Sequence, residues 1–165
     1  MVAETDSYDL TWGDIRRGVR HLASDVERDG TPEILIAIVR GGWVPATMLA
    51  HRLRLRDVRA VEVTHTTTDA MAAVKSPEPI EVNPASLGDL SEADVLIVDD
   101  VAGSGKTVSV ACELVRARGA RRIRTAVCVV NEANWSTTHD RGDGGDPTYV
   151  VWRRPGWVVF PWERP

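Results

Sequence analysis

The sequence predicts an α/β domain built on a parallel sheet flanked by helices. Three observations carry that expectation. Apolar, largely β-branched runs at Ile34–Val39, Val58–Val63, Val95–Val98 and Ile123–Val130 suit strands covered on both faces. Amphipathic stretches of helical length lie between them, and strand, helix and strand in alternation imply parallel pairing through right-handed crossovers. Glycine-rich turns punctuate the units at Arg40-Gly41-Gly42 and Gly103-Ser104-Gly105.

Thr11 opens the first helix, followed by Trp12, Ile15, Val19, Leu22 and Val26 at helical spacing. Thr11 with Asp14 three residues on has the form of a capping box. The helix ends at Gly30-Thr31-Pro32, and Ile34–Val39 makes the first strand, stopped by Arg40-Gly41-Gly42. Pro45 suits the first turn of a second helix running to about Leu53, and Val58–Val63 makes the second strand. From Thr64 to Asp94 no period is sustained, and Pro77, Pro79 and Pro84 are scattered among polar residues. A stretch of that length inside a compact domain is functional, mobile, or hides a short hairpin. The third strand, Val95–Asp100, ends in two carboxylates; Thr107–Arg118 reads as a helix closed by Gly119, and Ile123–Val130 as the fourth strand. The tail from Asn131 is Gly- and Asp-rich between Asp140 and Asp146 and Trp-rich beyond. Asp140, Asp143 and Asp146 read as a solvated turn, because Gly142 and Gly144 stand where a calcium loop needs oxygen ligands.

A length of 165 residues without repeat or linker reads as a single domain over 1–165. With 43% hydrophobic and 27% charged residues, a packed core is expected rather than disorder. No apolar run approaches the roughly 20 residues that span a bilayer, and the N-terminus has no signal-peptide pattern, so a cytoplasmic location away from membranes is expected. The net charge of −4 argues against broad nucleic-acid binding, which needs clustered positive charge. Cys112 and Cys128 are too few and too far apart for a zinc or redox motif and read as small buried apolar groups.

The chemistry concentrates after the third strand. Gly103-Ser104-Gly105-Lys106-Thr107 sits between a strand and a helix, where main-chain N–H groups and the helix dipole hold phosphate. A Walker A loop, Gly-x-x-x-x-Gly-Lys-Thr, fails because Asp100 stands where its first glycine must be, which makes a P-loop nucleotidase a poor reading. Two aspartates directly before a phosphate cradle would repel the anion unless something lies between. Ribose hydroxyls, which donate to carboxylates, or a Mg²⁺ ion would resolve the conflict. The combination describes a site for a 5-phosphoribosyl group.

The thirteen residues Val95–Thr107 resemble the phosphoribosyl diphosphate (PRPP) motif of type I phosphoribosyltransferases: four apolar residues, two acids, two variable residues, then a Gly- and Thr-containing loop. Ile38–Ala46, with Arg40-Gly41-Gly42 inside it, is similar to the diphosphate loop of the xanthine-guanine and hypoxanthine branch. Gly156–Glu163 resembles that branch's C-terminal Trp-x-x-x-Pro-Trp-acid segment. The resemblance covers nearly the whole chain and implies the type I phosphoribosyltransferase-like fold. In it, residues 64–94 would be a flexible lid and residues 131–165 a small hood over the sheet's carboxyl edge, with Trp135, Trp152 and Trp162 packing that hood.

The resemblance also implies roles. Asp99 and Asp100 would bind the ribose hydroxyls directly or through Mg²⁺, the expected cofactor and their shared metal. Ala102, Gly103, Ser104, Gly105, Lys106 and Thr107 would line the 5′-phosphate, Lys106 at the rim. Arg40 and Gly41 would bind diphosphate, in a turn where the family often carries a non-proline cis peptide. Asp99, Asp100 and Arg40 are the residues expected to carry catalysis. Trp157 would stack on the base, with Val158 and Asn131 beside it. Transfer from PRPP to a ring nitrogen would proceed through an oxocarbenium-like transition state, so the protein must neutralise departing diphosphate and exclude water. The partners implied are PRPP, a nucleobase-like small molecule and a second copy of the chain, since relatives are commonly dimers or tetramers.

Two departures bear on the acceptor and a third on the lid. The 6-oxopurine enzymes place Asp at the position of Gly103, and a Lys near Asn131 or Glu132. Their lid Ser-Tyr pair corresponds to Thr64-His65-Thr66-Thr67-Thr68-Asp69, where His65 is a candidate diphosphate contact or simply an exposed loop residue. A modified or amino-substituted purine-like base fits the changes at Gly103 and at Asn131 or Glu132 better than guanine does. The competing reading is a catalytically impaired regulator that binds PRPP or a nucleotide.

Overall fold

The computed structural model describes residues 7–66, 75–81, 83–135 and 145–164, with backbone alone at 64–66, 75–81 and 84. In chain order the elements are β1 (Ser7–Asp9), α1 (Trp12–Arg28), β2 (Ile34–Val39), α2 (Trp43–Leu53), β3 (Val58–Thr66) and β4 (Lys75–Glu81). After a 3₁₀ turn (Pro84–Leu87) come β5 (Asp94–Ala102), α3 (Lys106–Ala117), β6 (Arg122–Asn131), α4 (Glu132–Trp135), β7 (Tyr149–Arg154) and β8 (Trp157–Val159). Six strands form the central sheet in the order β4-β3-β2-β5-β6-β7. All its pairings are parallel except β3 with β4.

The capping box is present: the Thr11 side chain accepts from the Asp14 N–H, and the Asp14 carboxylate accepts from the Thr11 N–H at 2.8 Å. Two of the donors that a helix start leaves unpaired are thereby satisfied. Side chains alternate across the sheet as a two-residue period requires. Leu35, Ala37, Leu96, Val98, Ala126 and Cys128 pack under α1 and α2 with Ile15, Leu22 and Leu49. Ile34, Ile36, Ile38, Val95, Ile97 and Val127 face the other way, against Val108, Ala111 and Val115 of α3. Each fully buried Leu or Ile contributes about 1.5–3 kcal/mol, so the β-branched runs and both helix layers require one another. Cys112 and Cys128 are free and buried, as their spacing suggested.

The structure differs from the sequence reading in three places. The segment 64–94 is not irregular throughout: β3 extends to Thr66, and β4 returns antiparallel beside it, so the region holds a hairpin. Its later part is anchored, with Leu87 and Leu90 in the core and Arg59 donating to the carbonyls of Leu87 (2.6 Å) and Asp89 (2.7 Å). The lid positions Thr67, Thr68 and Asp69 and the side chain of His65 lie outside the described residues, as do Asp140 and Asp143. Second, the tail beyond Asn131 divides. β7 adds a sixth strand to the central sheet, and β8 pairs with β1 in a separate parallel ribbon. Neither pairing carries a periodic signal, because both depend on partners distant in sequence. Third, β5 continues to Ala102, which puts Asp99 and Asp100 inside a strand instead of at its end.

At the amino edge of the sheet, buried Arg124 donates to both oxygens of Asp94 at 2.9 Å and to the Gly30 carbonyl at 2.7 Å. Tyr149 donates to Asp29 at 2.8 Å beside it. Among the described residues no helix is long and apolar enough to cross a membrane.

Candidate active site

Three segments meet at the carboxyl edge of the sheet: the turn after β2, the end of β5 with the loop that follows, and the chain leaving β8. The turn Arg40-Gly41-Gly42 begins with a cis peptide between Val39 and Arg40, as the resemblance implied. Gly42 donates to the Ile38 carbonyl at 2.9 Å and Trp43 to that of Arg40 at 3.1 Å, which folds the turn directly into α2. Pro45 falls within the first turn of that helix, where its missing N–H is of no consequence.

Both glycines are required by contact. A Cβ on Gly41 would overlap the Asp100 carboxylate, and one on Gly42 would lie 2.5 Å from the carbonyl oxygens of Ile38 and Val98. Arg40-Gly41-Gly42 and Asp99-Asp100, far apart in sequence, therefore form one surface. The sequence named both motifs, but nothing in it says that the glycines exist to let the acids in.

Asp99 and Asp100 are 8% and 7% exposed. Asp99 accepts from the Asp100 N–H at 2.9 Å and Asp100 from the Val101 N–H at 2.7 Å. Burial, and then the adjoining Asp100 charge, push the Asp99 carboxyl well above the usual range. Asp100 is raised to about 6, first by burial and further by the Glu163 carboxylate. Glu163 accepts from the Phe160 N–H at 2.8 Å, which fixes the turn ending the chain. Two buried acids thus lie side by side with the exposed Glu163 carboxylate close enough to raise Asp100, a setting in which hydroxyl donors or a cation brought by a ligand would be favoured. Beneath them Cys128 is pushed up by burial first and by the Asp100 and Asp99 charges next, which leaves its thiol protonated and inert.

Ala102–Gly105 turns from β5 into α3. Gly105 adopts φ +82, a left-handed conformation, and a Cβ there would come within 2.7 Å of the Trp135 ring. Trp135 is 6% exposed, and its indole N–H donates to Asp146 at 2.9 Å. The phosphate-type loop is thus held from behind by an aromatic wall, a contact that composition and spacing did not signal. Ser104 Oγ accepts from the Lys106 N–H at 3.5 Å at the start of α3.

Residues 10–163 match the Phosphoribosyl transferase domain family. The chain belongs to the phosphoribosyltransferase family. Such a protein is a glycosyltransferase, and the α/β fold with its parallel sheet agrees with the relatives. The chain is 28% identical to the xanthine-guanine phosphoribosyltransferase of Roseobacter denitrificans, over 94% of this chain and 85% of that protein. Among solved structures it is similar to a purine phosphoribosyltransferase from Pyrococcus horikoshii: TM-score 0.78, 32% identity, 96% of this chain and 95% of the other. A Neisseria gonorrhoeae protein crystallised with bound ppGpp shares the fold at TM-score 0.79 and 21% identity, over 97% of this chain and 90% of that one.

The three residues expected at the base fare differently. Trp157 lies on β8, paired with Ser7, and is 39% exposed, so it is not a core tryptophan. Val158 is buried in the core with Phe160, so its side chain packs inward. Asn131 donates to the Gly156 carbonyl at 2.8 Å and accepts from the Ala133 N–H at 3.1 Å, which commits both ends of its amide within the chain. Phe160 stacks on Trp162 with ring centroids 4.7 Å apart, and Trp162 meets Trp12 at 6.0 Å.

Proposed function

We propose that this phosphoribosyltransferase moves the 5-phosphoribosyl group of PRPP to a ring nitrogen of a purine or purine-like base and releases diphosphate. The observation that carries the reading is the contact of Asp100 with Gly41, which joins an acid pair suited to ribose hydroxyls with a turn suited to diphosphate. The relatives named purine and xanthine-guanine phosphoribosyltransferases support purine as the acceptor class.

In this reading Asp99 and Asp100 accept from the ribose hydroxyls, and the Ala102–Thr107 loop receives the 5′-phosphate. Its main-chain amides do so at the start of α3, where a helix leaves its first N–H groups unpaired. Arg40 and the Gly41 amide meet the diphosphate, and Arg40 offsets its growing charge as the C1′–O bond breaks. Trp157, exposed beside Gly156, stacks on the base. Asn131 acts as a positioning residue that ties the end of β6 to the turn carrying Trp157.

The donor set fits Mg²⁺, a hard ion that takes one or two carboxylates together with substrate oxygens. Among the described residues no group of three acidic, His or Cys side chains could hold a metal alone, so Asp99 and Asp100 would share the ion with PRPP. When bound, it supplies charge neutralisation to the diphosphate.

The acceptor we infer is an amino-substituted or otherwise modified base, because Gly103 offers no carboxylate to handle a proton on the base. The same glycine favours the second reading, a regulator that binds PRPP without turnover. Diphosphate release from PRPP and Mg²⁺ separates them across adenine, 7-deazapurines, hypoxanthine, xanthine and guanine. Base-dependent release, fastest with an amino heterocycle, is expected. Much faster release with hypoxanthine, xanthine or guanine would remove the amino-base reading, and PRPP binding without release on any base would favour the regulator.

A further inference from the structure

Trp135 touches the phosphate loop and is itself held by a carboxylate from a later segment. Its ring lies where a side chain on Gly105 would stand: a Cβ there would meet Cζ3 at 2.7 Å and Cη2 at 2.9 Å. Ala102 before the loop, Val108 after it and Trp135 are buried in one core cluster, so the ring packs in the layer that carries both ends of the turn. Gly105 also opens α3. Its carbonyl accepts from the Ser109 N–H at 2.9 Å, and having no side chain it offers no cap to the first amides of the helix. Those amides are the ones an anion takes up, and their direction follows from how Gly105 is seated. At the opposite edge of the indole, Nε1–H donates to Asp146 Oδ1 at 2.9 Å. Asp146 is exposed and lies shortly before β7, so an acid that reads from sequence as part of a solvated turn is an anchor for a buried ring.

We propose that Trp135 and Asp146 form a positioning pair that sets the loop's grip on the 5′-phosphate of PRPP, Trp135 acting through Gly105 and Asp146 acting through Trp135. The inference rests on the transfer reaction proposed above and adds residues that touch neither substrate nor metal. Indole is a rigid plate with a single donor, its N–H. Hydrogen-bonded at that edge and seated on Gly105 at the other, it carries a rotation at Asp146 to the loop. Main-chain amides grip a phosphate only when they point at one centre, so a small displacement of Gly105 costs affinity at the sugar's phosphorylated end.

Calorimetric titration of the full-length protein with PRPP and Mg²⁺, at a temperature where every variant is folded, tests the pair. Asp146→Ala is expected to weaken PRPP binding about tenfold, the scale of one hydrogen bond to a charged group. Asp146→Asn keeps an accepting oxygen and should stay within about threefold of the parent. Both change an exposed position, which guards against a folding defect at the buried one. Trp135→Phe keeps a flat ring without the N–H. It should weaken PRPP binding about as much as Asp146→Ala does, and the two changes together should cost no more than either alone. Arg124→Ala, at the far edge of the sheet, is the control that lowers stability and leaves PRPP affinity in place. Unchanged affinity in Asp146→Ala, an Asp146→Asn as weak as the alanine variant, additive losses in the double variant, or an equal loss in Arg124→Ala would overturn the positioning role while leaving the transfer reaction standing. Failure of the unaltered protein to bind PRPP would overturn the transfer reading and this inference together.

Discussion

Asp94 at the start of β5 and Asp99 and Asp100 near its end are all buried acids, but their surroundings differ in kind. Asp94 meets a buried guanidinium at 2.9 Å through both oxygens, with Arg122 3.5 Å away. Asp99 and Asp100 accept from main-chain amides and lie beside each other, and the Glu163 charge acts on Asp100. One strand thus carries, at opposite edges of the sheet, a charge neutralised by the fold and a charge left for a ligand to neutralise. The difference separates a structural acid from a functional one more sharply than burial does.

The largest effect is expected at the structural edge. Arg124→Ala leaves Asp94 buried without its main partner and should lower stability by about 3–5 kcal/mol in denaturant unfolding. It should leave the affinity of remaining folded protein for PRPP unchanged; a loss of affinity would break the contrast between the edges. At the functional edge, Gly41→Ala drives a methyl into the Asp100 carboxylate. We expect kcat/KM for PRPP to fall about 100-fold, the scale of a misplacement near 1 Å. A change below about threefold would show that the two segments do not act as one surface.

Trp157→Ala should raise KM for the base by about tenfold or more, within the 1–3 kcal/mol of base stacking. Its melting temperature should stay near the parent's, since the ring is half exposed. A large stability loss with an unchanged KM would make the tryptophan structural.

The smallest effect concerns pH. In the substrate-free, metal-free protein Asp100 is raised to about 6 from an ordinary value of 3.8, so the folded state binds its proton more tightly than the unfolded chain does. Its favourable contribution is complete below about pH 4 and declines as pH rises through 6. Asp100→Asn should therefore stabilise that form at pH 8 but not at pH 4, by about 2–4 °C in melting temperature for each kcal/mol recovered. The same variant should weaken PRPP binding with Mg²⁺. Equal melting temperatures across the pH range, with unchanged PRPP affinity, would dissolve the distinction between Asp100 and Asp94.

Much of this was legible in the chain because it is local. Thr11 and Asp14 spell a cap within four residues, and Ile34–Val39 and Val95–Val98 announce buried strands by composition alone. The acid pair and the glycine loop are contiguous, so their chemistry reads directly. The β4 strand was hidden because prolines interrupt its pattern, and β7 because Tyr149–Arg154 mixes aromatic, apolar and basic residues. The resemblance points to Asn131 as a base contact from its place near the start of the tail. Its amide instead braces Gly156, a pairing across 25 positions that no local pattern encodes.

Hydrophobic periodicity, capping and the Asp99-Asp100 signature settle which elements form and what kind of ligand they suit, since each depends on residues a few positions apart. Which glycine must admit which acid, and which tryptophan supports the loop and which stays open, were decided by the folded chain. Those are contacts between segments distant in sequence. They come into being only when the sheet brings the ends of β2, β5, β6 and β8 together.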